Sequence, residues 1–268
     1  MITFKAEYVS QHITRIITPF HVCVYLVEGE KKAALIDTGF GVGDLKSYVE
    51  TLTDKPYSVL LSHGHVDHAS GAGQFDEVYL NSRDWDLERR HCTMEYRIWN
   101  IENGPGKSLE SVSVTEYIPV YKGKYLEIDE GMDIDLGGVT IKPVAVPGHT
   151  RGTLFFIIPE DRIAIFGDGC GEHTAVLLEE STTIKEYRNS LIHFQKYQNM
   201  YDTVLRNHGT YTSEKQILED AIELCGDIIA RRDAKVPRNF IDIPGYMGRP
   251  EEHPGKYGNI IYSMEKID

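Results

Sequence analysis

The chain has 268 residues, 41% hydrophobic and 26% charged, and its 41 acidic against 28 basic residues give a formal net charge of −13. That balance repels a bare phosphate backbone, and no Lys/Arg-rich run offsets it, so nucleic acid is excluded as the expected partner. No apolar stretch reaches the ~18 residues of a membrane span, and the opening MITFKAEYVS lacks the basic-then-apolar build of a leader, so a cytoplasmic protein with no membrane contact is expected, its scattered Cys23, Cys92, Cys170 and Cys225 reduced.

Apolar patterning predicts strands over residues 2–9, 13–18, 22–28 and 33–37, with Glu28-Gly29-Glu30-Lys31 turning between the last two. A helix over 44–53 gathers Leu45, Tyr48, Val49 and Leu52 on one face, and 57–61 reads as a short buried strand. Strand–helix–strand of this kind is a parallel unit, and ligands sit at the carboxyl ends of such strands. That is where Ser62-His63-Gly64-His65-Val66-Asp67-His68 falls. A lone histidine at a strand end is ordinary surface chemistry. Three histidines and an aspartate within six residues, behind a hydrophobic strand, make sense only if something binds them. Imidazole and carboxylate are the donors that zinc and similar ions prefer.

Beyond a small-residue segment at 69–74, a strand is expected over 77–80 and a helical stretch over 82–101, which carries Trp85, Tyr96 and Trp99 among many charges. A loop follows over 102–113 around Asn103-Gly104-Pro105-Gly106. Residues 82–118 read as an insertion, serving equally well as a surface helix or as a cover over substrate. The second half repeats the grammar of the first. Strands over 125–128, 139–146, 154–158 and 163–166 precede a helix over 184–197, then a short strand over 203–205. Ser213 is placed as the cap of a last helix running to about residue 230, with Glu214 and Glu219 in its early turns. The Pro- and Gly-rich residues 233–268 are expected as an irregular C-terminal arm packed on a single domain of residues 1–232.

Three further strand ends carry candidate ligands: Pro147-Gly148-His149-Thr150, Gly167-Asp168-Gly169 and Asn207-His208-Gly209. Each alone is common turn chemistry. In this order after His-x-His-x-Asp-His, they are specific, and glycine beside each lets the backbone pass close to a neighbour.

With these motifs the chain resembles the metallo-β-lactamase-fold hydrolase superfamily, from Asp37-Thr38-Gly39 to His208. The resemblance implies an α/β four-layer αββα sandwich of two pseudo-symmetric halves. It further implies a dinuclear site in which His63, His65 and His149 hold one divalent ion and Asp67, His68 and His208 a second, with Asp168 bridging. Zinc is the expected metal, and iron or manganese fits the same donors. Asp37 matches the aspartate that orients the histidine loop, and His173 and Tyr211 are candidates for contacts near the metals or substrate. Two cations ~3.5–4 Å apart share a water and lower its pKa from ~15.7 toward ~7, giving a bridging hydroxide nucleophile. Asp67, beside it, is the candidate catalytic proton carrier.

Departures from individual branches narrow the expectation. Asp168 stands where the most familiar β-lactamases place a cysteine, the 36-residue tail is too short for the helical region of glyoxalase II-like enzymes, and Gly169-Cys170-Gly171-Glu172-His173 lacks the tyrosine of acyl-homoserine lactonases. The expected function is metal-dependent hydrolysis of a small-molecule ester, lactone or thioester. A redox or ligand-sensing iron protein of the same fold and a phosphodiesterase are the alternatives, and a homodimer is left open.

Overall fold

Four strands run antiparallel from the N-terminus: β1 (Lys5–Tyr8), β2 (Ile13–Ile17), β3 (Cys23–Glu28) and β4 (Ala33–Ile36). Asp44 then caps α1 (Leu45–Glu50), accepting from the Ser47 amide at 3.0 Å. The helix returns the chain to β5 (Tyr57–Leu60), parallel to β4, and after the single turn of α2 (Val66–Ala69) the chain enters β6 (Val78–Tyr79), parallel to β5. The computed structural model describes residues 2–104, 112–251 and 255–268.

The stretch expected as one helix over 82–101 is two, α3 (Trp85–His91) and α4 (Met94–Asn103). The break falls at Thr93, whose hydroxyl accepts from the Tyr96 amide at 3.2 Å and so starts a new helix. Part of the loop expected over 102–113 lies outside the described residues.

The second half follows the same plan. β7 (Ile134–Asp135), β8 (Thr140–Ala145), β9 (Leu154–Ile158) and β10 (Ile163–Ile165) run antiparallel. After β11 (Thr174–Val176), α5 (Ile184–Phe194) returns the chain to β12 (Thr203–Leu205), which lies parallel to β10. In each half an antiparallel run is thus closed by a helix and a parallel strand, which is the pseudo-symmetry.

Period-two alternation decides the layers. In β3, Tyr25 and Val27 face a core shared with Phe156, Ile158 and Leu205 of the second sheet, while Val24 and Leu26 face Leu45 and Val49 of α1. On the far side, Tyr187 and Leu191 of α5 pack with Val144, Phe155 and Val204. Helices, sheet, sheet, helices give the αββα sandwich, and each fully buried large apolar side chain contributes about 1.5–3 kcal/mol to it.

Three expectations are corrected. Residues 125–128 form no strand; a single bridge from Tyr79 to Leu126 is all that pairs there. Ser213 caps nothing, because it lies in β13 (Thr212–Glu214) opposite Val204, and α6 (Ile217–Ile229) starts three residues beyond that strand. The tail is not irregular: β14 (Val236–Phe240) and β15 (Ile243–Met247) form a hairpin that joins β16 (Ile260–Tyr262) and β11 in a third sheet. Proline is compatible here because β14 is the sheet's edge and Pro244 stands near the start of β15. Among the described residues no helix is long and apolar enough to cross a membrane.

Candidate metal centre

The strand ends of both halves converge at one rim of the sandwich. β5 delivers His63, His65, Asp67 and His68; β8 leads to His149, β10 to Asp168 and β12 to His208. Two donor groups form on the motif residues, His63 with His65 and His149, and Asp67 with His68, Asp168 and His208, and a third joins His65 to His91 and Glu180, the donor atoms of each lying within 4.8 Å of one another. His63 and His68 are completely buried, their ring centroids 4.1 Å apart.

The hydrogen bonds of these rings say which nitrogen carries the proton. His68 donates from Nδ1 to Asp37 Oδ2 at 2.9 Å, His149 from Nδ1 to the Ala175 carbonyl at 2.8 Å, and His65 from Nε2 to Glu180 Oε1 at 2.7 Å. His63 Nδ1 lies 3.0 Å from the Ser62 hydroxyl, which itself donates to Asp37 Oδ2 at 2.8 Å. In His63, His65 and His149 the outward nitrogen is engaged, so the inward one is left a bare lone pair, whereas the inward Nε2 of His68 faces the Asp67 and Asp168 carboxylates. His65 Nδ1 and His149 Nε2 then face each other at 2.9 Å, and His63 Nε2 is buried with no partner. Converging unprotonated nitrogens repel one another unless a cation lies among them, and buried polar atoms otherwise find partners. The residues present therefore fit a metal ion.

Charge divides the two groups. Burial and the neighbouring histidines push His63 well below the usual imidazole value, and burial with His65 pushes His149 down to about 4. In the second group burial opposes ionisation but loses. Asp67, Asp168 and Asp37 hold His68 well above its usual value, Asp168 and Asp67 raise His208 to about 10, and these histidines in turn hold both aspartates low. His208 Nε2 lies 3.1 Å from Asp67 and 3.3 Å from Asp168, while His68 Nε2 lies 3.5 Å from Asp168.

Outer residues fix these loops. Asp37, fully buried and at φ 66°, accepts from the Ser62 amide at 2.7 Å and from Asn207 Nδ2 at 2.9 Å besides His68. Asp84 accepts from the Gly64 amide at 3.0 Å, the Gly152 amide at 2.8 Å and the Thr150 hydroxyl at 2.6 Å, tying the His63 loop to the His149 loop. The glycines are needed for closeness to protein: a Cβ on Gly148 would lie 2.1 Å from the Tyr187 ring, and one on Gly64 2.9 Å from the Asp84 carbonyl. Of the remaining candidates, His173 lines the cleft over the site and pairs with Glu251 at 3.2 Å. Tyr211 packs away from that cleft, its ring 5.3 Å from the Arg15 guanidinium.

Glu180, Asp84 and His91 were not legible in the sequence. Glu180 and Asp84 are acids in acid-rich stretches, and His91 sits in the charged α3, where nothing marks it as the ring that stacks 5.2 Å from His65. Asn207 adjoins a motif histidine, and that adjacency was its only signal.

A four-layer sandwich carrying His/Asp donor groups where its paired sheets end defines a class of metal-centred hydrolase folds. The sequence profile of the metallo-β-lactamase superfamily matches residues 17–229, and the chain belongs to that superfamily. Curated relatives include named hydrolases. The chain is 25% identical over 163 residues to a human acyl-coenzyme A thioesterase, covering 54% of this chain and 57% of the relative. It is 26% identical over 206 residues to the hydroxyacylglutathione hydrolase of Haemophilus influenzae, covering 71% and 86%. The chain thus spans little more than half of the thioesterase's length. Among solved structures, a metallo-β-lactamase from Pontibacter korlensis matches with TM-score 0.60 at 15% identity, covering 84% of this chain and all of that one. A sec-alkylsulfatase from Pseudomonas sp. matches with TM-score 0.66 at 13% identity, covering 85% of this chain and 42% of that one. At such identities the likeness is one of fold.

Proposed function

We propose that the chain is a metal-dependent hydrolase of a small ester, lactone or thioester. His63, His65 and His149 would hold one ion, and Asp67, His68 and His208 a second, with Asp168 between them. Zinc suits the nitrogen and oxygen donors, as would iron or manganese. The observation that carries this reading is the set of outward hydrogen bonds from His63, His65 and His149, which leaves three imidazole lone pairs converging inside one buried rim. Divalent ions there would supply Lewis acidity toward an acyl oxygen and lower the pKa of water toward ~7.

The chain's own residues do the rest. Asp37 and Glu180 keep the rings in the ligating tautomer, Asp84 holds the two histidine loops together, and Asp67, open to the cleft, takes or delivers the proton at its carboxylate. Metal content measured alongside a hydrolysis screen over esters, lactones, thioesters and phosphodiesters tests this reading. About two ions per chain and metal-dependent turnover of one carboxylic class are expected. Protein that takes up no transition metal overturns it, and redox-active iron with oxygen uptake would move the chain to the oxidative class.

A further inference from the structure

A cleft of about 640 Å³ opens over the metal centre, a volume suited to a small organic ligand. One end is polar, with His65, Asp67, His149, Asp168 and His208. An apolar surface beyond it comes from segments outside the two halves' ligand loops: Phe20 after β2, Tyr96 and Trp99 on α4, Leu178 after β11, and Phe240 and Ile243 at the tip of the C-terminal hairpin. Trp99 and Ile243 are 39% and 40% exposed and present their apolar surface to this cleft. Rings also form a continuous track from the metal centre outward: His65 to His91 at 5.2 Å, His91 to Tyr96 at 4.6 Å, Tyr96 to Trp99 at 5.6 Å.

Charge in the cleft is equally selective. Among the described residues the only lysine or arginine lining it is Arg206, and Glu172 at 2.8 Å and Thr210 at 2.7 Å already hold its guanidinium. Glu172, Glu180 and Asp242 add negative charge to the walls. A carboxylate or phosphate on the distal part of a substrate finds no free lysine or arginine among the described residues there, whereas a hydrocarbon chain finds the apolar surface of Tyr96, Trp99, Phe240 and Ile243.

We infer that this cleft takes an uncharged ester or lactone with a linear, medium-length apolar acyl chain, laid along Tyr96 and Trp99 and covered by the hairpin tip at Phe240 and Ile243. The inference rests on the hydrolase reading above and names its substrate class. In the reaction one water adds across the acyl–oxygen bond: its oxygen bonds to the acyl carbon, the carbon–oxygen bond to the leaving group breaks, and the leaving oxygen receives the proton. The products are a carboxylic acid and an alcohol, or a hydroxy acid from a lactone.

The test uses metal-loaded full-length protein and p-nitrophenyl esters from acetyl to decanoyl. kcat/KM should rise by up to about fourfold per buried methylene and then level off. An ester whose acyl chain ends in a carboxylate should fall at least tenfold below its uncharged counterpart. Ile243→Asp should lower the octanoyl-to-acetyl ratio of kcat/KM at least tenfold. Binding of neutral methyl ketones, read by tryptophan fluorescence with Trp99→Phe as the control, should tighten with chain length. Ester turnover that is flat in chain length, or that favours the carboxylate-ended ester, overturns this inference and leaves the hydrolase reading standing. Ketone binding that tightens with chain length, without turnover of any ester, lactone or thioester, supports the cleft assignment and overturns the hydrolase reading.

Discussion

Asp37 Oδ2 lies 2.9 Å from His68 Nδ1, and the same carboxylate accepts from Ser62 at the end of β5 and from Asn207 at the end of β12. One buried acid thus joins the loops that the two halves contribute to the site. Its φ of 66° is a conformation that asparagine also tolerates, so Asp37→Asn changes the carboxylate while sparing the backbone. The substitution puts an amide where four donors need an acceptor. Metal affinity should fall about 10–100-fold, as outer partners of ligating histidines generally command. Competition with a chelator reads this directly, and an unaltered affinity would show that Asp37 serves only the fold.

Asp67 opens α2, where the first turn of the helix favours an anion, and its side chain is 20% exposed toward the cleft. Asp67→Asn should reduce turnover by about 10²–10⁴-fold, the range for a lost proton carrier. Circular dichroism and melting temperature should stay close to wild type. Metal analysis of the variant separates the two roles: retained metal with lost turnover assigns proton transfer, and lost metal assigns ligation. Wild-type turnover would remove Asp67 from the chemistry.

The donor cluster and the two-halves plan were legible in the sequence because both rest on short-range signals. His63, His65, Asp67 and His68 follow one apolar strand, and the remaining donors stand in Gly-flanked turns after others. What could not be read there is set by contacts distant in sequence. Asp84 meets Thr150 across 66 residues and Glu180 meets His65 across 115, so no local pattern announces either. The tail misled for a different reason. Pro237 and Pro244 argue against a strand, yet an edge position and a strand start tolerate them, and only the fold shows which positions those are.

Asp84 yields a stability prediction. It is almost fully buried, and burial raises its carboxyl above the usual value despite three donors aimed at it. Asp84→Ala leaves the Gly64 and Gly152 amides and the Thr150 hydroxyl without their acceptor, and each stranded group costs about 1–3 kcal/mol. A loss on the order of 3 kcal/mol in denaturant unfolding is expected, together with weaker metal retention, because the two histidine loops are no longer tied. A loss under ~0.5 kcal/mol, the level of an ordinary surface change, would mean that water replaces the carboxylate.

The Asp67, His68, Asp168 and His208 quartet gives the chelated protein a definite pH dependence. His68 is raised well above its usual 6.5 and His208 to about 10, so their contribution to folding is complete below pH 6.5 and is lost as pH climbs toward 10. The two aspartates are lowered, so theirs is complete above pH 3.8 and is lost under acid. The His208 side chain is 38% exposed, so solvent screens part of its effect, whereas His68 is fully buried and keeps its own. Metal binding carries the opposite sign, because ligands must shed protons and affinity grows with pH. Chelated protein should therefore lose melting temperature between pH 6.5 and 9 while metal-loaded protein holds its own, and the gap between them should widen. His208→Gln should flatten part of the decline in the chelated form. A chelated wild type whose melting temperature rises over that interval, in step with His208→Gln, would show that the quartet does not carry its protons as its geometry requires.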